Sequence, residues 1–252
     1  MKTHLKKFET LAGFQSAQST LDKPNVSLIE ATMGVNYLPY VAPVVQHDYV
    51  EIGGIKWATM NVGANSITDT GLYFQWGDTQ GYTASQVGSG EGQKYFGADD
   101  CIYYNDGSYT KYTEGDSKIT LESSDDAVTA AWGGSWRMPT TAEFQALGSA
   151  VNTAWTADYE GSCVAGLVLT SNADSSKKLF FPACGCACYG SMENVGNNGN
   201  YWSSSLYTED WECPDRCAYS IYYNNDYIGW CDAGPERKYG YSIRGILDDS
   251  NS

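Results

Sequence analysis

The pattern of hydrophobic and polar positions indicates β structure along most of the chain. From Tyr49 onward, short apolar runs are bounded by Gly, Asn, Asp and Ser, and "YVEIGGIKWATMNVG" predicts two strands joined at Gly53-Gly54. The segments "GLYFQWGD", "CVAGLVLTS", "KLFFPA", "YWSSS", "AYSIYY" and "YSIRGI" predict further strands. Residues 80–118 are rich in Gly, Tyr and Ser, which predicts a long loop region with a few short strands.

Two adjacent helices are predicted in the middle of the chain. Ser124 is the expected N-cap of the first helix, and Gly133 follows its last turn. Thr140 and Glu143 have the spacing of a capping box for the second helix, which Gly148 is expected to end. Strands, then two helices, then more strands predict an antiparallel α+β fold.

The first part of the chain differs in composition from the rest. Residues 1–47 contain a short helical candidate, Leu5–Leu11, and no cysteine. We expect them to form an attachment or oligomerisation segment, with an ordinary lead-in strand as the alternative. Residues 48–252 are then the globular domain.

Charge excludes some classes of partner. The 252 residues include 30 acidic and 15 basic side chains, for a net charge of −15. Such a surface repels phosphate backbones, so nucleic acid is not an expected partner. No segment approaches the ~20 apolar residues of a membrane span, and no apolar run follows the early lysines as in a signal peptide. We therefore expect no membrane insertion, and synthesis and folding in a cytoplasm.

Cysteines are concentrated late in the chain. Six of the eight lie within 48 residues, namely Cys184, Cys186, Cys188, Cys213, Cys217 and Cys231. Free thiols, disulfides and a metal site are the three interpretations. The C-x-C-x-C and C-x3-C spacings differ from the paired C-x2-C of zinc ribbons, and disulfides need an oxidising compartment. We predict mostly free thiols, with no bound metal and no cofactor.

Five segments resemble a known family. "DDAVTAAWGGSWRMPTTAEFQAL", "LFFPACG", "GNYWSSS", "AYSIYY" and "YGYSIRGI" resemble, in this order, the Fibrobacter major paralogous domain, and the similarity covers about residues 50–247. That family has the C-type lectin fold, in the branch shared with the formylglycine-generating enzyme. The resemblance therefore implies an α+β fold with antiparallel strands, two main helices and long loops.

The chain is similar in particular to variable proteins of diversity-generating retroelements. These are often phage receptor-binding proteins, and many occur in gut Bacteroides and their phages. A reverse transcriptase randomises the adenines of AAY asparagine codons, and the resulting NNY codons never encode Trp, Lys, Glu, Gln or Met. The resemblance implies a variable region at about residues 184–240, in which Trp211, Glu212, Glu236 and Lys238 do not fit the NNY alphabet.

The positions that fit the NNY alphabet define a predicted ligand-binding surface. Tyr, frequent among them, supplies a large amphipathic contact area at a small entropic cost. A half-buried β surface is the alternative interpretation of the Tyr-rich positions. The candidate ligand-binding residues are Cys188, Tyr189, Tyr207, Asp215, Cys217, Ser220, Tyr222, Asn224, Tyr227, Gly229, Cys231 and Asp232.

The alternation in "AYSIYY" refines this prediction. Successive side chains of a strand point to opposite faces. Ile221 should therefore face the core, while Ser220 and Tyr222 face the ligand. We expect one exposed patch that combines this strand face with the loops at both ends, and a structural role for Arg244 through a salt bridge or carbonyl contacts.

The leading functional prediction is a binding protein without catalysis. A fixed bacterial surface adhesin and a carbohydrate-binding lectin are the alternatives, although "CPD" at Cys213–Asp215 retains only the tail of a lectin sugar motif. A formylglycine-generating-type oxidoreductase is a further alternative. The resemblance implies a copper-binding cysteine pair for that activity, and Cys213 and Cys217 are the only close late pair.

The resemblance also implies partners and a location. The expected ligand is a protein or glycan receptor on a host cell surface, and residues 1–47 would attach the protein to a virion. A homo-oligomer, such as a trimer, would add avidity. The expected location is a phage virion tail, with a bacterial cell surface as the alternative.

Overall fold

The computed structural model describes residues 47–209, 215–232 and 234–248. Its strands are mostly antiparallel and its helices few, so the predicted α+β class agrees with the structure. The predicted segment 1–47, with its helical candidate, lies outside the described residues except for His47. Within the described part of the chain, no helix combines the length and apolar character needed to cross a membrane.

Fourteen short strands and two α-helices form the described domain. The strands are β1 (Tyr49–Ile52), β2 (Ile55–Asn61), β3 (Tyr104–Asn105), β4 (Ser108–Tyr109), β5 (Trp136–Arg137), β6 (Val151–Thr156), β7 (Gly166–Ser171), β8 (Lys178–Pro182), β9 (Cys186–Cys188), β10 (Ser191–Glu193), β11 (Gly199–Leu206), β12 (Ala218–Tyr223), β13 (Ile228–Asp232) and β14 (Arg244–Leu247). The helices are α1 (Ala127–Trp132) and α2 (Thr141–Ala150).

A four-stranded sheet in the order β1-β2-β14-β5 joins the start of the described domain to its end. The predicted hairpin at its edge is confirmed, because β1 pairs with β2 around Gly53 and Gly54. Both glycines have positive φ, at 62° and 79°, as a tight hairpin turn of this kind requires. The last strand, β14, lies antiparallel to β2 and closes the sheet against β5.

Both predicted helices form, with one change at each. The N-cap of α1 is Asp126 rather than Ser124, since the Asp126 carboxylate accepts the N–H groups of Val128 and Thr129 at 2.9 Å each. A carboxylate two residues later in the chain thus replaces the predicted hydroxyl. The capping box at the start of α2 is confirmed, but α2 continues past Gly148 to Ala150.

Gly148 serves packing rather than helix termination. A Cβ at this position would approach the ring of Trp230 to 2.6 Å, so the missing side chain lets β13 lie against α2. The buried face predicted for α2 is confirmed, because Phe144 and Leu147 are almost fully buried.

The strand predictions are partly confirmed. Gly166–Ser171 and Lys178–Pro182 form strands as predicted, in a sheet ordered β6-β7-β8. The edge strand β6 was not predicted. "GLYFQWGD" was predicted as a strand, but only isolated bridges form there, from Tyr73 to Tyr82 and from Phe74 to Tyr241.

The sheet β11-β12-β13 lies between two hydrophobic cores, within the predicted variable region. On β11, Tyr201 belongs to the core that contains Phe144 and Leu147, and its neighbour Trp202 belongs to the other core. Ile221 and Tyr223 on β12 are buried in the first core, as predicted. The backbone of this sheet is therefore fixed by packing on both faces.

Arg244 has the structural role that was predicted. It is fully buried, and its Nη1 and Nη2 donate to the carbonyl oxygens of Ala58 and Phe180 at 3.0 and 2.9 Å. Its guanidinium also lies 4.5 Å from the ring centroid of Phe181. One side chain thus connects three strands.

Candidate ligand-binding surface

Three neighbouring tyrosines form what we call the tyrosine platform: Tyr95, Tyr189 and Tyr239. The ring centroids of Tyr95 and Tyr189 are 6.1 Å apart, and those of Tyr189 and Tyr239 are 6.3 Å apart. Tyr95 and Tyr189 are 44% and 51% exposed, and Tyr239 is half-buried. The platform therefore presents aromatic surface to solvent in a fixed arrangement.

The platform rests on buried aromatic residues. Tyr239 stacks near Tyr241, with 6.3 Å between centroids, and Tyr241 stacks on Trp202 at 4.2 Å. Trp202 is fully buried, and its indole N–H donates to the Phe74 carbonyl at 2.9 Å. A continuous series of rings thus connects the exposed surface to the core.

The hairpin between β9 and β10 holds Tyr189 in place. Tyr189 has φ of +47° and Gly190 has φ of +75°, and two consecutive left-handed residues are typical of the tight turns that join antiparallel strands. The Gly190 N–H donates to the Tyr95 carbonyl at 2.6 Å, and a Cβ on Gly190 would lie 3.1 Å from the backbone of Gly88. The close approach brings Tyr95 beside Tyr189.

Lys238 connects two rings of the platform. Its Nζ lies 5.1 Å from the centroid of Tyr189 and 5.4 Å from that of Tyr239, and it forms an ion pair with Glu236 at 2.8 Å. Partial burial works to lower the pKa of Lys238, but Glu236 and Tyr189 raise it overall. The ammonium stays charged and fixes the angle between the rings. Lys238 and Glu236 are two residues that do not fit the NNY alphabet, and both have this supporting role.

The turn between β12 and β13 carries a second aromatic group, which consists of the rings of Tyr222 and Tyr227. We call these two residues, together with Asn224, the hairpin tip. The rings of Tyr222 and Tyr227 lie 6.2 Å apart, and Tyr227 is 57% exposed. Asn224 Oδ1 accepts the backbone N–H groups of Asp226 and Tyr227 at 2.9 Å, and its Nδ2 donates to the Tyr222 hydroxyl at 3.1 Å. Asn224 therefore shapes the turn, and the two rings are the surface it presents.

A shallow cleft of about 260 Å³ lies beside the hairpin tip. Its apolar lining comes from Trp155, Leu167, Tyr227 and Ile228, and its polar lining from Thr153 and residues 224–226. The unpredicted strand β6 supplies Thr153 and Trp155. The cleft is small for a ligand pocket, which commonly holds ~300–1,000 Å³.

Three candidate residues are buried, contrary to the predicted exposure. Ser220 and Cys217 are each 1% exposed, and Gly229 is also buried. Ser220 lies between Trp202 and Asp232 in the strand register, on the face that the second core covers. Gly229 lies opposite Tyr222, and a Cβ there would come within 3.1 Å of the Tyr227 hydroxyl. The lack of a side chain at Gly229 makes room for the Tyr227 ring.

The remaining candidates do not form one patch, which corrects the prediction of a single surface. Tyr207 packs edge-on against Tyr219 with 5.1 Å between centroids. Tyr219 lies on the β12 face opposite to Ser220 and Tyr222, because side chains alternate along a strand. Burial and a hydrogen bond with Glu209 raise the pKa of Tyr219 to about 12, with smaller contributions from Cys231 and Tyr207. Tyr207 and Cys231 thus form a separate group.

Asp232 and Cys188 lie near the platform. Both are half-buried, and both contribute to the electrostatic environment of Tyr241. Burial raises the pKa of the Asp232 carboxyl. Burial and the neighbouring Cys188 raise the pKa of the Cys186 thiol to about 12, so Cys186 is a neutral thiol at neutral pH.

Asp215 has a backbone role. Its φ of +65° is left-handed, and its carbonyl accepts a hydrogen bond from Arg237 Nη1 at 3.0 Å.

The cysteines are mostly free, as predicted, with one exception. Cys101, Cys163, Cys184, Cys186, Cys188 and Cys231 are free thiols, whereas Cys217 is disulfide-bonded. Across residues 47–209, 215–232 and 234–248, no cluster of three or more His, Cys, Asp or Glu has the arrangement of a metal site.

Sequence reasoning missed Tyr95 and Tyr239 as surface residues. Tyr239 lies in the predicted variable region but was not among the candidate residues, and Tyr95 lies about 90 residues before the rest of the platform. In the sequence, Tyr95 is only one of several tyrosines in a Gly-rich loop. The hydrogen bond from Gly190 to its carbonyl holds it beside Tyr189 at the surface.

Comparison of the chain with protein-family models, with curated proteins and with solved structures gives no match.

Proposed function

We propose that this protein is a ligand-binding protein of the C-type lectin fold whose exposed aromatic surface recognises a receptor on a host cell. The observation that carries the proposal is the tyrosine platform, in which exposed rings are fixed by a buried aromatic series and by Lys238. Fixed tyrosines lose little entropy on binding and dominate many recognition surfaces. The hairpin tip adds a second aromatic pair to the same protein.

The backbone at two candidate positions supports diversification from asparagine codons. Tyr189 and Asp215 have left-handed φ values of +47° and +65°. Asn tolerates this conformation much better than Tyr and most other residues do. A template that encodes Asn at these positions would therefore fit the backbone, and replacement by Tyr at position 189 would trade local strain for contact area.

The state of the cysteines favours binding over oxidoreductase chemistry. A copper site of the formylglycine-generating type would use the late pair Cys213 and Cys217 as thiolates. Cys217 is disulfide-bonded, and it would supply that ligand only after reduction.

The assembly and location follow from the resemblance and belong to the same proposal. Residues 1–47 would attach the protein to a phage tail or a bacterial surface, and several copies would bind the receptor together. Multivalent display raises avidity without new contacts at each site.

The cleft beside the hairpin tip favours a glycan as the second candidate ligand class. Trp155 and Tyr227 offer aromatic surface, and Asn225 and Asp226 offer hydrogen-bonding groups at the rim. A fixed lectin that uses this cleft would lose binding on Trp155→Ala, and a platform-based receptor binder would not.

The test replaces four candidate residues that are exposed or half-buried with other NNY-encodable residues: Tyr189→Ser, Tyr222→Asn, Tyr227→Ser and Asp232→Asn. The measurement is adsorption to a panel of bacterial strains, with thermal unfolding of each protein. We expect a change in the strains bound and nearly unchanged folding. Equal binding to the same strains by a folded variant would contradict the proposal.

A nucleotide observation separates a diversified binder from a fixed adhesin. A diversified gene should have a nearby adenine-rich template repeat and a reverse-transcriptase gene. Their absence from the genomic neighbourhood would favour the fixed adhesin.

A further inference from the structure

Arg237 is a buried cation with an unusual distribution of hydrogen bonds. Only 1% of the residue is exposed. Its Nη1 donates to three carbonyl oxygens, those of Lys111 at 3.1 Å, Tyr112 at 3.2 Å and Asp215 at 3.0 Å. Arg237 therefore joins the loop at 111–112 to residue 215 and to the segment that carries Lys238 and Tyr239.

The other edge of the guanidinium lacks an acceptor. Within the described part of the chain, neither Nε nor Nη2 of Arg237 has a hydrogen-bond partner, although both atoms are buried. The N–H groups of Nε and Nη2 point in the same direction within the guanidinium plane, and this edge binds carboxylates and similar anions through two parallel bonds. A buried donor left without an acceptor is costly, and a buried charge is more so.

Aromatic rings surround the guanidinium but cannot replace the missing acceptor. Its central carbon lies 4.0 Å from the ring centroid of Tyr109 and 4.8 Å from that of Trp76. These contacts act on the faces of the guanidinium plane, whereas Nε–H and Nη2–H point along its edge. Among the described residues, none of the ion pairs includes Arg237, although the charge of Asp215 acts on it in addition to the Asp215 carbonyl bond. Burial lowers the pKa of Arg237 to about 10, which leaves it charged at neutral pH.

We propose that the Nε/Nη2 edge of Arg237 is a binding site for a small monovalent anion of the halide class, chloride in a cell. An anion accepts both bonds and also adds a negative charge beside the buried guanidinium, whereas a water molecule would accept the bonds and add no charge. The rings of Trp76 and Tyr109 enclose the guanidinium, which disfavours a large organic anion. Bound chloride would then stabilise the contacts by which Arg237 joins residues 111–112 and 215 to the segment that carries Lys238 and Tyr239.

Arg244 provides an internal control for this site. It is also fully buried, but Nη1 and Nη2 both donate to carbonyls and only Nε is without a partner in the described residues. The Nε/Nη2 edge thus has two donors without an acceptor at Arg237, but only one at Arg244. The anion should bind at the first arginine and not at the second.

The first measurement is the anomalous signal of crystals of the full chain grown or soaked with bromide. We expect a peak within hydrogen-bond distance of Arg237 Nε and Nη2, and none at Arg244. A water molecule, or a side-chain carboxylate of this chain, on that edge would overturn the proposal.

The second measurement is the melting temperature of the full chain in chloride and in gluconate at equal ionic strength. We expect chloride to raise the melting temperature by about 2–4 °C, as expected for a ligand that binds only the folded state. A bromide peak without this shift would indicate an adventitious ion only and would also overturn the proposal.

Arg237→Lys tests the paired donors, because lysine keeps the charge and loses the planar edge. We expect this variant to lose the chloride effect. Thr141→Ala, far from Arg237 in the chain, should keep it. If Arg237→Lys does not fold, the two measurements on the unaltered chain decide the question. Receptor adsorption is not used in any of them, so failure of the anion site is distinct from failure of the proposed binding function.

Discussion

At the scale of single residues, the same side-chain type has different roles at different positions. Tyr189 and Tyr227 are more than half exposed, whereas Tyr201 and Tyr223 are fully buried. The hydroxyl of Tyr223 donates to backbone carbonyls of the strand β8, at 2.7 Å. Composition alone therefore could not separate exposed tyrosines from core tyrosines, because tyrosine is favoured in β-strands in both environments.

We predict that Tyr189→Asn keeps the stability of the protein while it removes receptor binding. Asn relieves the left-handed strain at φ +47°, and this gain should offset the lost ring contacts to within about 0.5 kcal/mol. Thermal unfolding and strain adsorption measure the two effects. Tyr189→Val is the matched control, since a β-branched residue at this φ should lower the melting temperature. A large loss of stability in Tyr189→Asn would mean that the ring supports the fold.

We predict that Ser220→Tyr destabilises the protein although tyrosine is NNY-encodable. Ser220 is 1% exposed and lies beside the buried Trp202 in the strand register, and overpacking such a site costs about 1–3 kcal/mol. Tyr227→Ser, at an exposed position, should change stability by no more than about 0.5 kcal/mol. Denaturant unfolding compares the two variants. If Ser220→Tyr is as stable as the parent, Ser220 is not tightly packed and would again be a candidate for facing the ligand.

At the scale of elements, the start of α2 concentrates several interactions. Thr140 and Glu143 form the capping box, and both guanidinium nitrogens Nη1 and Nη2 of Arg137 bind the Glu143 carboxylate at 2.9 and 2.6 Å. Arg137 Nε also donates to Asp248 at 2.8 Å. The cap therefore connects α2 to β5 and to the end of β14.

We predict that Thr140→Ala lowers the free energy of unfolding by about 1 kcal/mol, the usual cost of an N-cap. The matched control is Thr141→Ala, because the Thr141 hydroxyl is buried without a partner among the described residues and its removal should be neutral or slightly stabilising. Denaturant unfolding measures both, and binding per folded molecule should stay the same. A loss of affinity in folded Thr140→Ala would place α2 in the binding site.

The capping box of α2 also predicts that the stability of the protein depends on pH. Burial alone would raise the pKa of Glu143, but the hydrogen bonds from Arg137 and from the Thr140 N–H lower it overall. A carboxyl whose folded pKa lies below its unfolded value of about 4.3 contributes stability above that value and loses it as the pH falls through the folded pKa. The stability difference between the parent and Glu143→Gln should therefore shrink from about pH 6 to pH 3. A difference that stays constant over this range would contradict the argument.

At the scale of the whole molecule, two cores on opposite faces of β11-β12-β13 decide which of the candidate binding residues reach solvent. The first core buries Ile221 and Tyr223, and the second covers Ser220. Only the strand ends and turns are left for recognition. Under the proposed function, diversified positions would therefore reach solvent at Tyr189 of the tyrosine platform and at the hairpin tip rather than along the middle of the sheet.

We predict six reactive thiols in the unfolded, unreduced chain, because six cysteines are free and Cys217 is disulfide-bonded. In the native protein, Cys101 and Cys184 should not react, since they are 7% and 0% exposed. Four of the six thiols then remain available to a thiol reagent before unfolding. Rapid reaction of all six in the native state would show that the Cys184 core opens readily.

Local patterns in the sequence were enough to predict several features. The Gly53-Gly54 hairpin, the capping box of α2 and the α+β class each depend on neighbouring residues and on the periodicity of apolar positions. The same patterns could not predict β6, whose exposed polar residues form a strand only because β7 pairs with it along its length. They also could not place Asp126 ahead of Ser124 as a cap, since the Met138 N–H, from beyond α1, binds the same carboxylate at 2.8 Å.

The sequence by itself determined where turns, caps and strands begin, because these depend on backbone preferences over a few residues. Only the tertiary structure decided which residues of the variable region face solvent. Alternation along β12 distinguishes two faces but does not say which is covered, and here both are, by elements from distant parts of the chain. Tyr95 and Tyr189 illustrate the same limit, since a hydrogen bond from Gly190 to the Tyr95 carbonyl joins positions 95 residues apart in the chain.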